Sequence, residues 1–199
     1  MRIWWASYAV TLLLATGAAH AQNSDLAILA GISGPRGQVT TAPTTIISGS
    51  VGASGEVNYA WQALQRAVDL YIELPLVTTG QDRGTVTPGR VSDLSFKDVF
   101  FTPGARLKIS PQSRVSVYAA LGGGIASMGT TMSVVSPGSV SETSNRATTA
   151  ALDFGGGLDF RLTRLLSLRA EGRDFVTRAS LGSAGRNHWM FLAGIAFHF

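Results

Sequence analysis

The chain contains no cysteine among its 199 residues. A small domain without disulfides has to be held together by a packed core or by a membrane. After residue 21 no stretch reaches the roughly 18 consecutive apolar residues of a transmembrane helix, so a helical span is excluded there. Removing Arg2 from the 16 basic residues leaves 15 against 12 acidic ones. That excess is spread along the chain without the clustered basic face that nucleic-acid binding requires, so no nucleic-acid partner is expected. Glycine is abundant, at 23 residues, which weakens both helices and a soluble core.

The N-terminus begins with Arg2 and an apolar run from Ile3 to Leu14, then turns to small residues. Thr11, Thr16 and His20 keep the run too short to span a bilayer, and Ala19-His20-Ala21 has the small-x-small pattern of a signal-peptidase site. Residues 1–21 are therefore expected to be a cleaved signal peptide, leaving one domain over residues 22–199.

Beyond residue 21, eight runs alternate apolar and polar residues with a period of two: Ser24 to Ser33, Gly55 to Leu64, Ala67 to Val77, Lys97 to Ile109, Arg114 to Met128, Ala147 to Leu162, Leu165 to Arg178, and Asn187 to Phe199. The connections are of two kinds. Gln65-Arg66, Ser110 to Ser113 and Thr163-Arg164 are tight turns. Gly34 to Gly37, Gly80 to Gly89, Ser133 to Arg146 and the shorter Ser180 to Arg186 are Gly-, Ser- or Thr-rich, and are expected to be mobile loops sharing one end. Short turns at one end and longer loops at the other predict an all-β, eight-stranded antiparallel up-and-down transmembrane barrel. A soluble barrel has the same alternation with its apolar face turned inward, and alternation by itself does not choose between them.

The last run separates Trp189, Phe191, Ala193, Ile195, Phe197 and Phe199 on one face from His188, Met190, Leu192, Gly194, Ala196 and His198 on the other. The first face suits lipid flanked by aromatic girdles. Ending on Phe199, preceded by Phe197, Ile195 and Phe191, it resembles the C-terminal insertion signal of bacterial outer-membrane proteins. The domain as a whole resembles the small OmpA/OmpX-type barrels. That resemblance implies localisation in the bacterial outer membrane, contact with outer-membrane lipid and lipopolysaccharide, and recognition by the barrel-assembly machinery. No periplasmic peptidoglycan-binding domain accompanies it, so no cell-wall anchoring is implied. A monomer is expected.

With the apolar face outward, Glu73, Arg106, Lys108, Arg114, Asp153, Asp159, Arg161, Arg169, Glu171 and Arg173 face a polar lumen. Eight strands leave an interior about wide enough for side chains, so these charges are expected to pair and fill it. Gly122, Gly124, Gly155 and Gly157 fall on the same face and leave room for long arginines, or for twist in the strands.

No catalytic site, cofactor or metal is expected. Only His188 and His198 remain after residue 21, and without cysteine they offer no ligand spacing. Gly155-Gly156-Gly157 lacks the Lys-Ser/Thr of a phosphate loop. His188, with Ser180, Ser183 and Asp174 near it in sequence or across the last hairpin, is the sole candidate for a catalytic group. The reading is a non-enzymatic barrel with a structural or surface-interaction role through its loops. The alternatives are a narrow channel or hydrophobic-ligand conduit, and a lipid A-modifying enzyme.

Overall fold

The structure is a computed structural model that describes residues 24–34, 37–41, 44–48, 51–87, 90–109, 111, 113–178 and 186–199. The expected signal segment lies outside them. Alternation of β-branched, aromatic and small residues yields eleven strands: β1 (Ser24–Ser33), β2 (Gly37–Thr41), β3 (Thr44–Ser48), β4 (Gly52–Leu64), β5 (Val68–Thr87), β6 (Arg90–Phe101), β7 (Gly104–Ile109), β8 (Val115–Ser136), β9 (Ser139–Arg161), β10 (Leu166–Thr177) and β11 (Arg186–His198). All pairings are antiparallel. β6 and β7 are one wall strand interrupted at Thr102-Pro103. Both halves keep the same register with β8, Phe101 opposite Ile125 and Gly104 opposite Gly122. Proline has no N–H to give the ladder, which is the reason for the break.

The wall runs β1, β4, β5, β6/β7, β8, β9, β10 and β11, then returns to β1 through nine residue pairs that include Ile28 with Ile195. Eight wall strands therefore close with no free edge over the body of the barrel. The outer surface there is apolar: Ile28, Ile72, Leu121, Leu152, Leu158 and Leu168 are all exposed. Trp61, Phe160 and Phe197 stand toward the turn end of the wall, and Trp189 and Phe191, 5.6 Å apart, toward the other end. Asp25, Glu73, Arg106, Arg169 and Arg173 point the opposite way and are buried. This is the inverted polarity of a transmembrane barrel, not that of a soluble one.

Two segments expected as loops are strand instead. β5 and β6 continue beyond the wall to Thr87 and Arg90, and β8 and β9 pair as far as Ser136 with Ser139. β6 and β8 also pair up to Val91 with Val135, so four extended strands form one sheet above the barrel. Thr- and Val-rich sequence has strand propensity even where both faces meet water, and it is this second wet face that hides the alternation. Ser136-Pro137-Gly138-Ser139 closes the taller hairpin. Gly138 has φ 80°, as the third residue of a type II turn requires, with proline before it. The segment between β1 and β4 contains a further hairpin, β2 with β3.

Leu121 faces outward near the middle of β8. Leu121→Arg is expected to destabilise the folded barrel by about 2–4 kcal/mol if that position lies at the bilayer midplane. Urea unfolding in lipid vesicles measures it, and Thr131→Arg, on the same strand above the wall, should leave the midpoint nearly unchanged.

Candidate functional site

Inward-facing residues divide the lumen into two layers. The layer on the short-turn side is ionic. Lys108 and Arg169 hold Asp159 (Nζ–Oδ2 2.6 Å, Nε–Oδ1 2.7 Å), and Arg169 and Arg106 both reach Asp25 at 3.1 Å. Arg106 Nε donates to Glu73 at 2.9 Å. Arg173 contacts Glu73 at 3.0 Å, Asp153 at 2.6 Å and Glu171 at 2.8 Å, with Glu56 at 3.7 Å. Asn58 Nδ2 donates to both Glu56 and Glu73. The chain of contacts runs without a break from Lys108 to Arg173 and draws on every wall strand except β11.

Tyr118 organises the middle of this network. It pairs across the ladder with Gly157, where a Cβ would come within 2.5 Å of the phenol oxygen, so glycine is what lets the ring lie against the wall. The hydroxyl then donates to Glu171 Oε2, and the ring carries the guanidinium groups of Arg106 and Arg169 at 5.0 and 5.3 Å from its centroid. The room at Gly157 thus serves a tyrosine, where an arginine was expected.

Eight of the ten charges assigned to the lumen from sequence meet in this network: Glu73, Arg106, Lys108, Asp153, Asp159, Arg169, Glu171 and Arg173. Arg114 and Arg161 are not part of it. Arg114 is exposed beside the β7–β8 turn with its guanidinium over the Phe160 ring, and Arg161 donates to the Pro111 carbonyl. Both stand at strand ends, where a side chain has already cleared the lumen. Asp25, Glu56, Asn58 and Tyr118 were missed, although parity with Ala27 and Leu29, or with Ala60, places the first three on the inner face.

The other half of the lumen holds an apolar cluster beside buried polar residues such as Thr79, Asp98 and Thr177, and the expectation of a uniformly polar interior did not include that cluster. Phe100 and Phe175 stack at 4.7 Å between centroids, among Val77, Met128, Met190 and Leu192. Packed rings therefore stand above a salt-bridged network inside the described barrel.

His188 belongs to this apolar layer. Its ring is 5.5 Å from Phe100 and its Nε2 is 3.2 Å from Thr177 Oγ1. Asp174 pairs with Trp189 on the outer face and accepts from Asn187, so the wall separates its carboxylate from the inward-facing His188. Ser180 and Ser183 lie outside the described residues. Of the insertion-signal residues, Phe191, Ile195 and Phe197 project outward from β11, and Phe199 N donates to the Ser24 carbonyl, stitching the chain end to β1.

Removing one partner of a buried ionic network leaves uncompensated charge. Arg173→Met, which takes away the arginine of Asp153 and one of the two on Glu73, is expected to cost about 3–5 kcal/mol, whereas Arg114→Ala at an exposed position should stay within about 0.5 kcal/mol. Urea unfolding of both variants in one detergent checks the pair.

No family model and no curated protein matches the chain by sequence. Solved structures do match in fold. Ail, the attachment invasion locus protein of Yersinia pestis, crystallised with the heparin analogue sucrose octasulfate, superposes with a TM-score of 0.50 at 15% identity over 89% of this chain and 99% of its own. The outer-membrane protease OmpT of Escherichia coli gives a TM-score of 0.54 at 8% identity, over 89% and 96%. OprG, an outer-membrane protein of Pseudomonas aeruginosa, gives 0.48 at 12% identity, over 90% and 97%. At these identities the likeness to Ail and OmpT speaks for architecture alone, and with the apolar outer belt and closed eight-strand wall it shows that the chain has the fold of an outer-membrane β-barrel.

Proposed function

We propose that the protein is a non-enzymatic barrel of the bacterial outer membrane that acts at the cell surface through the sheet standing above its wall. The observation that carries this reading is the taller hairpin. Residues 139–146 are exposed on both faces, and Val140 is 75% exposed. β9 leaves β10 at Ala151, so its upper edge has no strand partner among the described residues. An open edge presents a row of N–H and C=O groups on which an extended segment of another protein can pair, with side-chain contacts supplying selectivity.

The cross-linked charges and packed rings inside the barrel support a structural role for its body over a conduit. The separation of Asp174 from His188 speaks against a catalytic dyad at the rim. Lipid A chemistry is tested by comparing lipopolysaccharide acylation in cells carrying the protein with cells carrying His188→Ala; unchanged acylation is the expected outcome.

Deleting residues 131–134 together with 141–144 shortens the hairpin by four pairs and preserves strand parity and the Pro137-Gly138 turn. Binding of proteoliposomes to immobilised serum and matrix proteins is expected to fall at least severalfold on this trimming, with unaltered heat-modifiable migration on gels. Equal binding by both forms removes the reading. Steady single-channel current through the intact protein in a planar bilayer supports the conduit instead.

The aromatic outer face of β11 supports engagement by the barrel-assembly machinery. Deleting Phe199 is expected to slow assembly into the outer membrane, measured as the fraction of heat-modifiable protein against time after induction.

A further inference from the structure

Among the described residues the outer wall carries an open groove of about 510 Å³ across β9, β10 and β11. Its size falls in the roughly 300–1,000 Å³ range of small-molecule sites. Leu158, Phe160, Leu168 and Ile195 form its sides, while Ala170 and Ala193, paired across the ladder, set its depth because neither reaches beyond the backbone. All six face outward, so the groove opens to hydrocarbon in the half of the membrane next to the short turns, the periplasmic half of an outer-membrane barrel.

The turns at that end are basic. Arg66 lies in the β4–β5 turn, Arg114 before β8, and Arg161 and Arg164 at the β9–β10 turn, and residues 65–67, 113–114 and 161–165 contain no aspartate or glutamate. Two of these arginines adjoin the groove. The Arg114 guanidinium lies 5.7 Å from the centroid of Phe160, a groove residue, and the exposed Arg164 sits in the turn joining β9 and β10, which carry Leu158, Phe160, Leu168 and Ala170 of its lining. Arg161 is engaged with the Pro111 carbonyl, and the ionic lumen uses neither Arg114 nor Arg164.

We propose that this groove and its rim form a site for one anionic phospholipid of the periplasmic leaflet, with an acyl chain against Ala170 and Ala193 and the phosphate between Arg114 and Arg164. Charge complementarity selects the occupant. A neutral apolar partner or a second copy of the chain has no use for two arginines at the mouth of an apolar slot, whereas a phospholipid places an anion where the hydrocarbon ends. The inference rests on the barrel fold and is independent of the surface role proposed for the extracellular sheet.

The test is native mass spectrometry of the detergent-folded barrel, released from micelles containing equal amounts of dioleoylphosphatidylglycerol and dioleoylphosphatidylcholine. Preferential retention of one phosphatidylglycerol is expected. Arg114→Gln and Arg164→Gln should each lower that preference about fivefold. Arg66→Gln, on a distant turn, serves as the control for diffuse surface charge and should leave it unchanged. Ala193→Leu, outward-facing and so harmless to the lumen, fills the groove and should reduce retention severalfold, with heat-modifiable migration confirming that each variant is folded. Equal retention of the two lipids by the unaltered protein overturns the proposal. So does a loss on Arg66→Gln equal to that on Arg164→Gln, or full retention in folded Ala193→Leu.

Discussion

Hydrocarbon offers no hydrogen bonds, and a backbone crossing it must satisfy every N–H and C=O internally. The closure of β1 on β11 follows from that constraint, and most of the remaining structure follows from the closure. A ring of eight strands has an interior about the width of facing side chains. Whatever points inward is removed from water, and charges there must find partners across the lumen. Arg106, Arg169 and Arg173 meet this demand because a guanidinium can serve several carboxylates at once. Asp25 and Glu73 each bridge two arginines and thereby tie β1 and β5 to β7 and β10.

The same constraint explains where regular pairing ends. Within the wall no strand can leave its neighbour without orphaning backbone groups in lipid. Above it, water can take a partner's place, and among the described residues β9 pairs with β10 only as far as Ala151 while keeping β8 for another twelve residues as far as Ser139. An open edge is therefore permitted only where another macromolecule can reach it. The outer wall below has a different freedom: its side chains meet fluid lipid and need not interlock, so a depression at Ala170 and Ala193 is tolerated on a surface whose inner side is tightly packed.

Much of this was legible in the residues. Period-two alternation located all eight wall strands, and β1 matches its expected span of Ser24 to Ser33. Parity also placed Glu73, Arg106, Asp153, Arg169 and Arg173 on one face. The upper hairpins were not legible, because Gly80 to Gly89 and Ser133 to Arg146 are rich in Gly, Ser and Thr, and residues 139–146 are exposed on both faces, so no apolar face marks them as strands. Tyr118 escaped for a related reason: its role depends on Gly157 lying opposite it, a matter of register between strands more than twenty residues long.

The chain alone determines the strand content, the two faces of each strand, the tight turns on one side and the aromatic close on Phe199, since these are local consequences of side-chain period and turn chemistry. Which carboxylate each arginine takes, the separation of the ionic network from the apolar cluster, the separation of His188 from Asp174 and the height of the sheet above the wall were decided only by tertiary structure. Each depends on the stagger with which eight strands pair around the ring, and that stagger is set by the whole closed wall at once.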